Sequence, residues 1–76
     1  MERYKNLGGS SNVVAYEIGE DYIKVQFRDR NKFYLYNYQS AGINNIEHMK
    51  KLAITGKGLN GFIRKVVKNK YASKLR

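Results

Sequence analysis

From Tyr22 to Arg28 the chain alternates without interruption, apolar at Ile23, Val25 and Phe27 and polar at Lys24, Gln26 and Arg28. Successive side chains of a strand point to opposite faces, so this period of two predicts a half-exposed β-strand. Before it, Val13-Val14-Ala15-Tyr16-Glu17-Ile18 is rich in β-branched and aromatic residues and is closed by Gly19-Glu20-Asp21, which predicts another strand and a tight turn. Asp29-Arg30-Asn31-Lys32 has the composition of a hairpin loop. Phe33-Tyr34-Leu35-Tyr36-Asn37-Tyr38 then reads as a third strand, with Tyr34, Tyr36 and Tyr38 on one face and Phe33 and Leu35 on the other.

Register across this hairpin decides which rings face outward. A loop of two or four residues puts Phe27 opposite Tyr34 and Val25 opposite Tyr36, so the tyrosines join the core face and Phe33 and Leu35 lie beside Gln26 and Arg28. A three-residue loop turns Tyr34 and Tyr36 outward with Gln26 and Lys24. The first is favoured, and either leaves an open face that is basic and partly aromatic.

Past Gln39 the period lengthens. Ile43, Ile46, Met49 and Ala53 fall at steps of three and four, with Leu52 beside them and Ser40 placed to cap, which predicts a helix over residues 40–54. After Thr55-Gly56-Lys57-Gly58 a second stripe, Leu59, Phe62, Ile63, Val66 and Val67, predicts a second helix, which the tail from Asn69 either extends or leaves to fray. Residues 1–9, ending in Gly8-Gly9, show no period and read as a flexible leader to a single domain over 10–76. The expected fold is α+β, a three-stranded antiparallel β-meander followed by two C-terminal helices packed on one sheet face.

Composition adds three constraints. In 76 residues there is no cysteine and one histidine, His48, so neither a disulfide nor a zinc site can brace the fold, and no cofactor is expected. Apolar runs are too short to span a membrane, and Met1-Glu2-Arg3-Tyr4-Lys5 lacks the apolar stretch of a secretory signal, so a cytoplasmic location is expected. The net charge is +9, and it is unevenly distributed: residues 1–40 carry six basic and five acidic side chains (+1), residues 41–76 nine and one (+8). A basic half of this kind attracts phosphates or acidic surfaces.

The candidate chemistry follows from that half. Gly56-Lys57-Gly58-Leu59-Asn60-Gly61 spells GxGxxG but follows a helix rather than a strand, so it is no dinucleotide fingerprint. It reads as a glycine C-cap and the entry to the second helix, where free N–H groups with Lys57 and Arg64 nearby can hold a phosphate. Lys65 and Lys68 extend the basic face. Tyr34 and Tyr36 either stack bases or pack in the core with their hydroxyls at its rim. Arg28 lies on the open strand. Asn60 either caps the second helix or ties it to Ser10-Ser11-Asn12, and Ser11 and Asn12 either face a ligand or start the first strand. The six acids are scattered, and no serine has a histidine and a carboxylate at a catalytic spacing, so an enzyme is not expected.

Ser10-Ser11-Asn12-Val13, the alternating Ile23, Val25 and Phe27, Tyr34-Leu35-Tyr36, and Gly56 followed by Leu59-Asn60 and Ile63-Arg64 together resemble the KTSC domain, a family found at the C-terminus of some lysyl-tRNA synthetases and as small stand-alone proteins of bacteria and phages. The chain lacks the family's Val-Pro after the tyrosine strand and its Arg-Tyr-Pro ending. The resemblance implies a small antiparallel sheet with C-terminal helices and a suspected role in RNA binding. The expected function is non-catalytic binding of nucleic acid, RNA or single strands before duplex DNA. Two alternatives stay open. One is binding or sequestration of a small phosphorylated ligand or signalling nucleotide, in a pocket between Tyr36, Arg28 and residues 56–60. The other is an adaptor or inhibitor docked on an acidic protein surface. A homodimer covering the outer rings is a further expectation.

Overall fold

A computed structural model of the chain describes residues 1–9, 11–28 and 33–75. The hairpin loop expected at Asp29-Arg30-Asn31-Lys32, and Ser10, lie outside the described residues. The architecture is α+β, an antiparallel sheet with helices packed against it. Its strands β1 (Glu2–Arg3), β2 (Val13–Ile18), β3 (Tyr22–Phe27), β4 (Phe33–Asn37) and β5 (Ser73–Leu75) are neighbours in that order. The sheet thus has five described strands where three were expected. The central three lie where the alternation placed them. The two added edges are two and three residues long, too short to show a period of their own.

Both edges come from segments read as loose. In the leader, Glu2 pairs with Tyr16 and Arg3 with Ala15, and the Tyr4 N–H donates to the Val14 carbonyl at 2.9 Å. The Tyr4 side chain is 4% exposed, and the Leu7 N–H donates to the Gly56 carbonyl at 2.7 Å. Burying one large ring is enough to hold a short segment whose backbone shows no propensity of its own. In the tail, β5 pairs Phe33 with Leu75, Tyr34 with Lys74 and Leu35 with Ser73.

The register of β3 and β4 turns the tyrosines inward, the favoured option, but it is displaced by two residues from the expected pairing. Tyr34 stands opposite Val25 and Tyr36 opposite Ile23, while Phe33 faces Gln26 and Leu35 faces Lys24. A shift of two preserves every side chain's face, so the core composition survives it. Between β2 and β3 the register slips by one around Val13 and Ala15, a bulge that lets Val13 and Tyr16 share the inner face with Phe27 and Val25.

The strand stops at Asn37, one residue before the end of the tyrosine run. Asn37 accepts the Ser40 N–H on its side-chain oxygen at 2.8 Å, and Ser40 Oγ accepts the Asn37 N–H at 3.1 Å. This reciprocal box starts a short helix α1 (Tyr38–Ala41), so Tyr38 is helical and Ser40 is the partner in the box rather than the cap. Gly42, at φ 92°, then breaks the expected helix in two before α2 (Ile43–Thr55). Ile46, Met49 and Ala53 of α2 are buried against β3 and β4, whereas Ile43, in the first turn, is 58% exposed. Gly56 closes α2 at φ 85° as the expected glycine C-cap, its N–H donating to the Leu52 carbonyl.

The second basic helix is also divided. It begins as α3 (Leu59–Phe62) and continues as a π-helical turn, Ile63–Val67, in which the Lys68 N–H reaches the Ile63 carbonyl. Leu59, Ile63 and Val67 are buried, a stripe at steps of four. Such a stripe drifts by about 40° per step around an α-helix of 3.6 residues per turn. The wider π turn removes part of that drift, and Val67 stays buried in the core. Together with Val13, Ile23, Val25, Tyr34 and Tyr36 these residues form one core on the inner sheet face. No described helix is long and apolar enough to cross a membrane.

Candidate functional site

Where the second helical segment lies over β4, a cleft of about 350 Å³ opens. Its floor is the sheet, with Phe27 from the end of β3 and Tyr34 and Tyr36 from β4, and Asn12 stands at the mouth of β2. Its wall is Asn60 of α3, Ile63 and Arg64 of the π turn, and Lys68 just beyond it. Asn60, Arg64 and Lys68 form a second stripe at steps of four, one residue on from the buried Leu59, Ile63 and Val67. Asn60 precedes the widened turn, Arg64 lies within it and Lys68 follows it directly. Lys68 takes φ 46°, which residues with a Cβ adopt rarely.

A second cleft of about 280 Å³ adjoins the first, sharing Asn60 and Arg64. It adds Lys57, Ser11 and Tyr4, and glycines at 8, 58 and 61. Among the described residues neither lining includes a carboxylate. Three cations, Lys57, Arg64 and Lys68, therefore border a continuous depression in which no described anion neutralises them.

Of the residues singled out in the sequence, Asn12, Tyr34, Tyr36, Asn60, Arg64 and Lys68 meet at the first cleft, and Ser11 and Lys57 at the second. Arg28 and Lys65 are exposed but line neither. Arg28 is tied through its backbone, its N–H donating to the Asn12 carbonyl at 2.6 Å. Ser11 takes the structural role, its Oγ accepting the Val13 N–H at 3.0 Å at the start of β2. The phosphate site expected at the start of the second helix loses one donor, because the Leu59 N–H is taken by the Tyr4 hydroxyl at 3.2 Å.

The rings are packed rather than offered for stacking. Tyr34 is 7% exposed and meets Phe27 edge-on at 5.2 Å and Tyr71 at 5.0 Å between ring centres. Tyr36 is 1% exposed, with Tyr71 edge-on at 6.2 Å. Tyr71 and Lys74, whose ammonium lies 5.3 Å from the Tyr71 ring centre and 5.7 Å from that of Tyr34, close this cluster from the tail. Burial, and then the neighbouring Tyr34 and Tyr71 phenols, push the Tyr36 phenol well above its ordinary value, so it is a neutral O–H at any physiological pH. That hydroxyl has no hydrogen-bond partner among the described residues, yet no buried side-chain oxygen is left unpaired there. Tyr36 is among the residues that line the cleft.

Sequence reasoning missed Tyr4, Tyr71 and Phe27 as parts of this region. For Tyr4 and Tyr71 the available signal was a lone aromatic in an otherwise polar terminal segment, a residue type that seldom stays in water without cause. Comparison of the chain with protein-family models, curated proteins and solved structures finds no match to any of the three. The likeness to the KTSC domain rests on the residues quoted for it.

Proposed function

We propose that this protein is a non-catalytic nucleic-acid-binding domain that takes RNA or another single strand along the depression bordered by Lys57, Arg64 and Lys68. The observation that carries the reading is the convergence of these cations with Asn12 and Asn60 around adjoining clefts whose described lining residues include no carboxylate. Phosphates supply the charge such a surface lacks, and an arginine fork can take a phosphate through two parallel hydrogen bonds. Lys65, Arg28 and Lys70 widen the positive field around the depression without lining it, which speeds encounter more than it orients a strand. The resemblance to a family with a suspected role in RNA binding points the same way.

The test is a titration of a labelled single-stranded RNA by fluorescence anisotropy at several salt concentrations. Each phosphate neutralised on a single strand contributes about −0.7 to the slope of log affinity against log salt, so three cations give about −2. Lys68→Ala should make the slope shallower by roughly 0.7. Tight binding with a flat salt response sinks the reading, and so does capture of an acidic protein that survives nuclease treatment while RNA fails to bind.

A second reading is favoured by one specific observation, the small volume of the first cleft. A free phosphorylated ligand fits that space as well as a strand does, and the slope separates the two because a small ligand meets fewer cations.

A further inference from the structure

The covered rings bear on how a strand is held. Proteins that bind a running single strand without sequence preference do so by stacking successive bases on open aromatic faces. Here the two β4 tyrosines are 7% and 1% exposed and are braced edge-on by Phe27 and Tyr71, so the cleft offers ring edges and a hydroxyl but no platform. Its volume, about 350 Å³, lies at the lower end for small-ligand pockets, enough for one nucleotide rather than several.

Its polar groups divide into two kinds. Arg64 and Lys68 stand one step of four apart on the wall and supply two positive charges. That number matches a phosphomonoester, which carries about −1.5 to −2 near neutral pH, better than an internal diester with a single charge. Asn12 and Asn60 each offer an amide donor and a carbonyl acceptor, and the Tyr36 hydroxyl adds one of each. The Tyr36 hydroxyl, which has no partner among the described residues, belongs to a residue that lines the cleft and can bond a group that enters it.

We propose that this cleft is a single-nucleotide pocket that holds one nucleoside monophosphate unit. The phosphate sits between Arg64 and Lys68, and the polar edge of the base or sugar meets Asn12, Asn60 and the Tyr36 hydroxyl. The assignment rests on the phosphate-binding part of the reading above and sharpens it. The unit is either free or the phosphorylated end of a strand, since both present the same chemistry.

The experiment is calorimetry on the full chain with the four nucleoside 5′-monophosphates, the corresponding nucleosides and inorganic phosphate. Alongside it, anisotropy compares RNA oligomers bearing a 5′-phosphate or a 5′-hydroxyl. The pocket predicts saturation by at least one monophosphate at one equivalent per chain, at least 10-fold tighter than its nucleoside. Tyr36→Phe should weaken that binding about 3- to 10-fold, the span of one ordinary hydrogen bond. Asn60→Ala should do the same, with binding of inorganic phosphate unaltered in both and native circular dichroism as the check on folding. Lys51→Ala, on the outer side of α2, serves as the charge control. An oligomer preferred 10-fold or more for its 5′-phosphate identifies a strand end as the source. Equal oligomers with a saturating monophosphate identify the free nucleotide. Absence of any saturable monophosphate binding, together with equal affinity for the two oligomers, overturns the pocket. If strand binding keeps its steep salt slope in that case, the nucleic-acid reading stands without it. If a monophosphate saturates while RNA shows no salt-dependent binding, the pocket stands and the nucleic-acid reading falls.

Discussion

Replacing Tyr4 by phenylalanine removes one oxygen and tests whether the first nine residues belong to the folded unit. In the structure that oxygen accepts the N–H of Leu59, the first residue of α3, at 3.2 Å in a buried setting. The ring itself is 4% exposed and packs in the core, so phenylalanine fills the same space. What is lost is the partner of a helix-initial N–H that has no intrahelical acceptor. Leaving such a group buried and unpaired costs about 1–3 kcal/mol, partly offset by the greater apolarity of phenylalanine, which gives a net loss near 1–2 kcal/mol. A domain of this length holds only about 4–11 kcal/mol in total. The melting temperature should therefore fall by roughly 5–15 °C, at about 4–8 °C per kcal/mol for a domain of this size. Tyr4→Ala removes the ring as well and should cost about 3–5 kcal/mol, which approaches complete unfolding. The assay is urea denaturation followed by circular dichroism, with the midpoint read against an unchanged slope. A Tyr4→Phe midpoint indistinguishable from the parent, or a chain lacking residues 1–9 that unfolds at the parent midpoint, refutes the claim that this segment is structural.

Two further outcomes are expected. Gly56→Ala should destabilise by about 1–2 kcal/mol in the same assay, because the site holds φ 85° and a Cβ there would lie 2.5 Å from the Cβ of Lys5; a neutral effect would show that the leader is not seated against this turn. Glu47 accepts a hydrogen bond from the Tyr38 hydroxyl at 2.7 Å and pairs with Lys50 at 2.9 Å, and these contacts, the tyrosine first, hold its carboxyl below the ordinary 4.5. Since the folded value is the depressed one, the stabilisation is present above pH 4.5 and is lost as pH falls through the folded value. Urea midpoints measured from pH 6 to pH 3 should thus fall less steeply in Tyr38→Phe than in the parent, and parallel curves would count against the coupling.

Much of the sheet was legible because alternation is a local property. Tyr22 to Phe27 and Val13 to Ile18 declare themselves strands from their own side chains, while the inward choice for Tyr34 and Tyr36 was favoured but depended on a loop length that those side chains do not state. The two-residue displacement of that hairpin was not legible, since pairings two residues apart bury the same faces. The end of β4 was misplaced for a different reason. Asn37 and Ser40 trade backbone N–H groups through their side chains, and this exchange overrides the tyrosine period that would have kept Tyr38 in the strand. Gly42 likewise cut a periodic apolar run that read as one helix, because periodicity records which face is apolar and not whether the axis is continuous.

The site was half visible. Arg64 and Lys68 stood out as cations beside an apolar stripe, and Asn60 as a polar residue within it. Their common spacing of four did not tell that all three would line one cleft with Tyr34 and Tyr36. Arg28 and Lys65 carried the same charge and were indistinguishable by composition, yet they line neither cleft.

The amino-acid order alone determined the class of fold and the positive charge of the last 36 residues, because each depends on side chains within a few positions of one another or on a plain sum, whereas the facing of the tyrosine strand waited on its pairing with β3. Tertiary structure decided what no local window holds. It drew Tyr4 and Tyr71 from opposite ends of the chain into the core region, made the two edge strands that lack any period, and set Arg64 and Lys68 across a cleft from Tyr36. Each of these is a contact between distant segments, and its energy exists only once the sheet has brought them together.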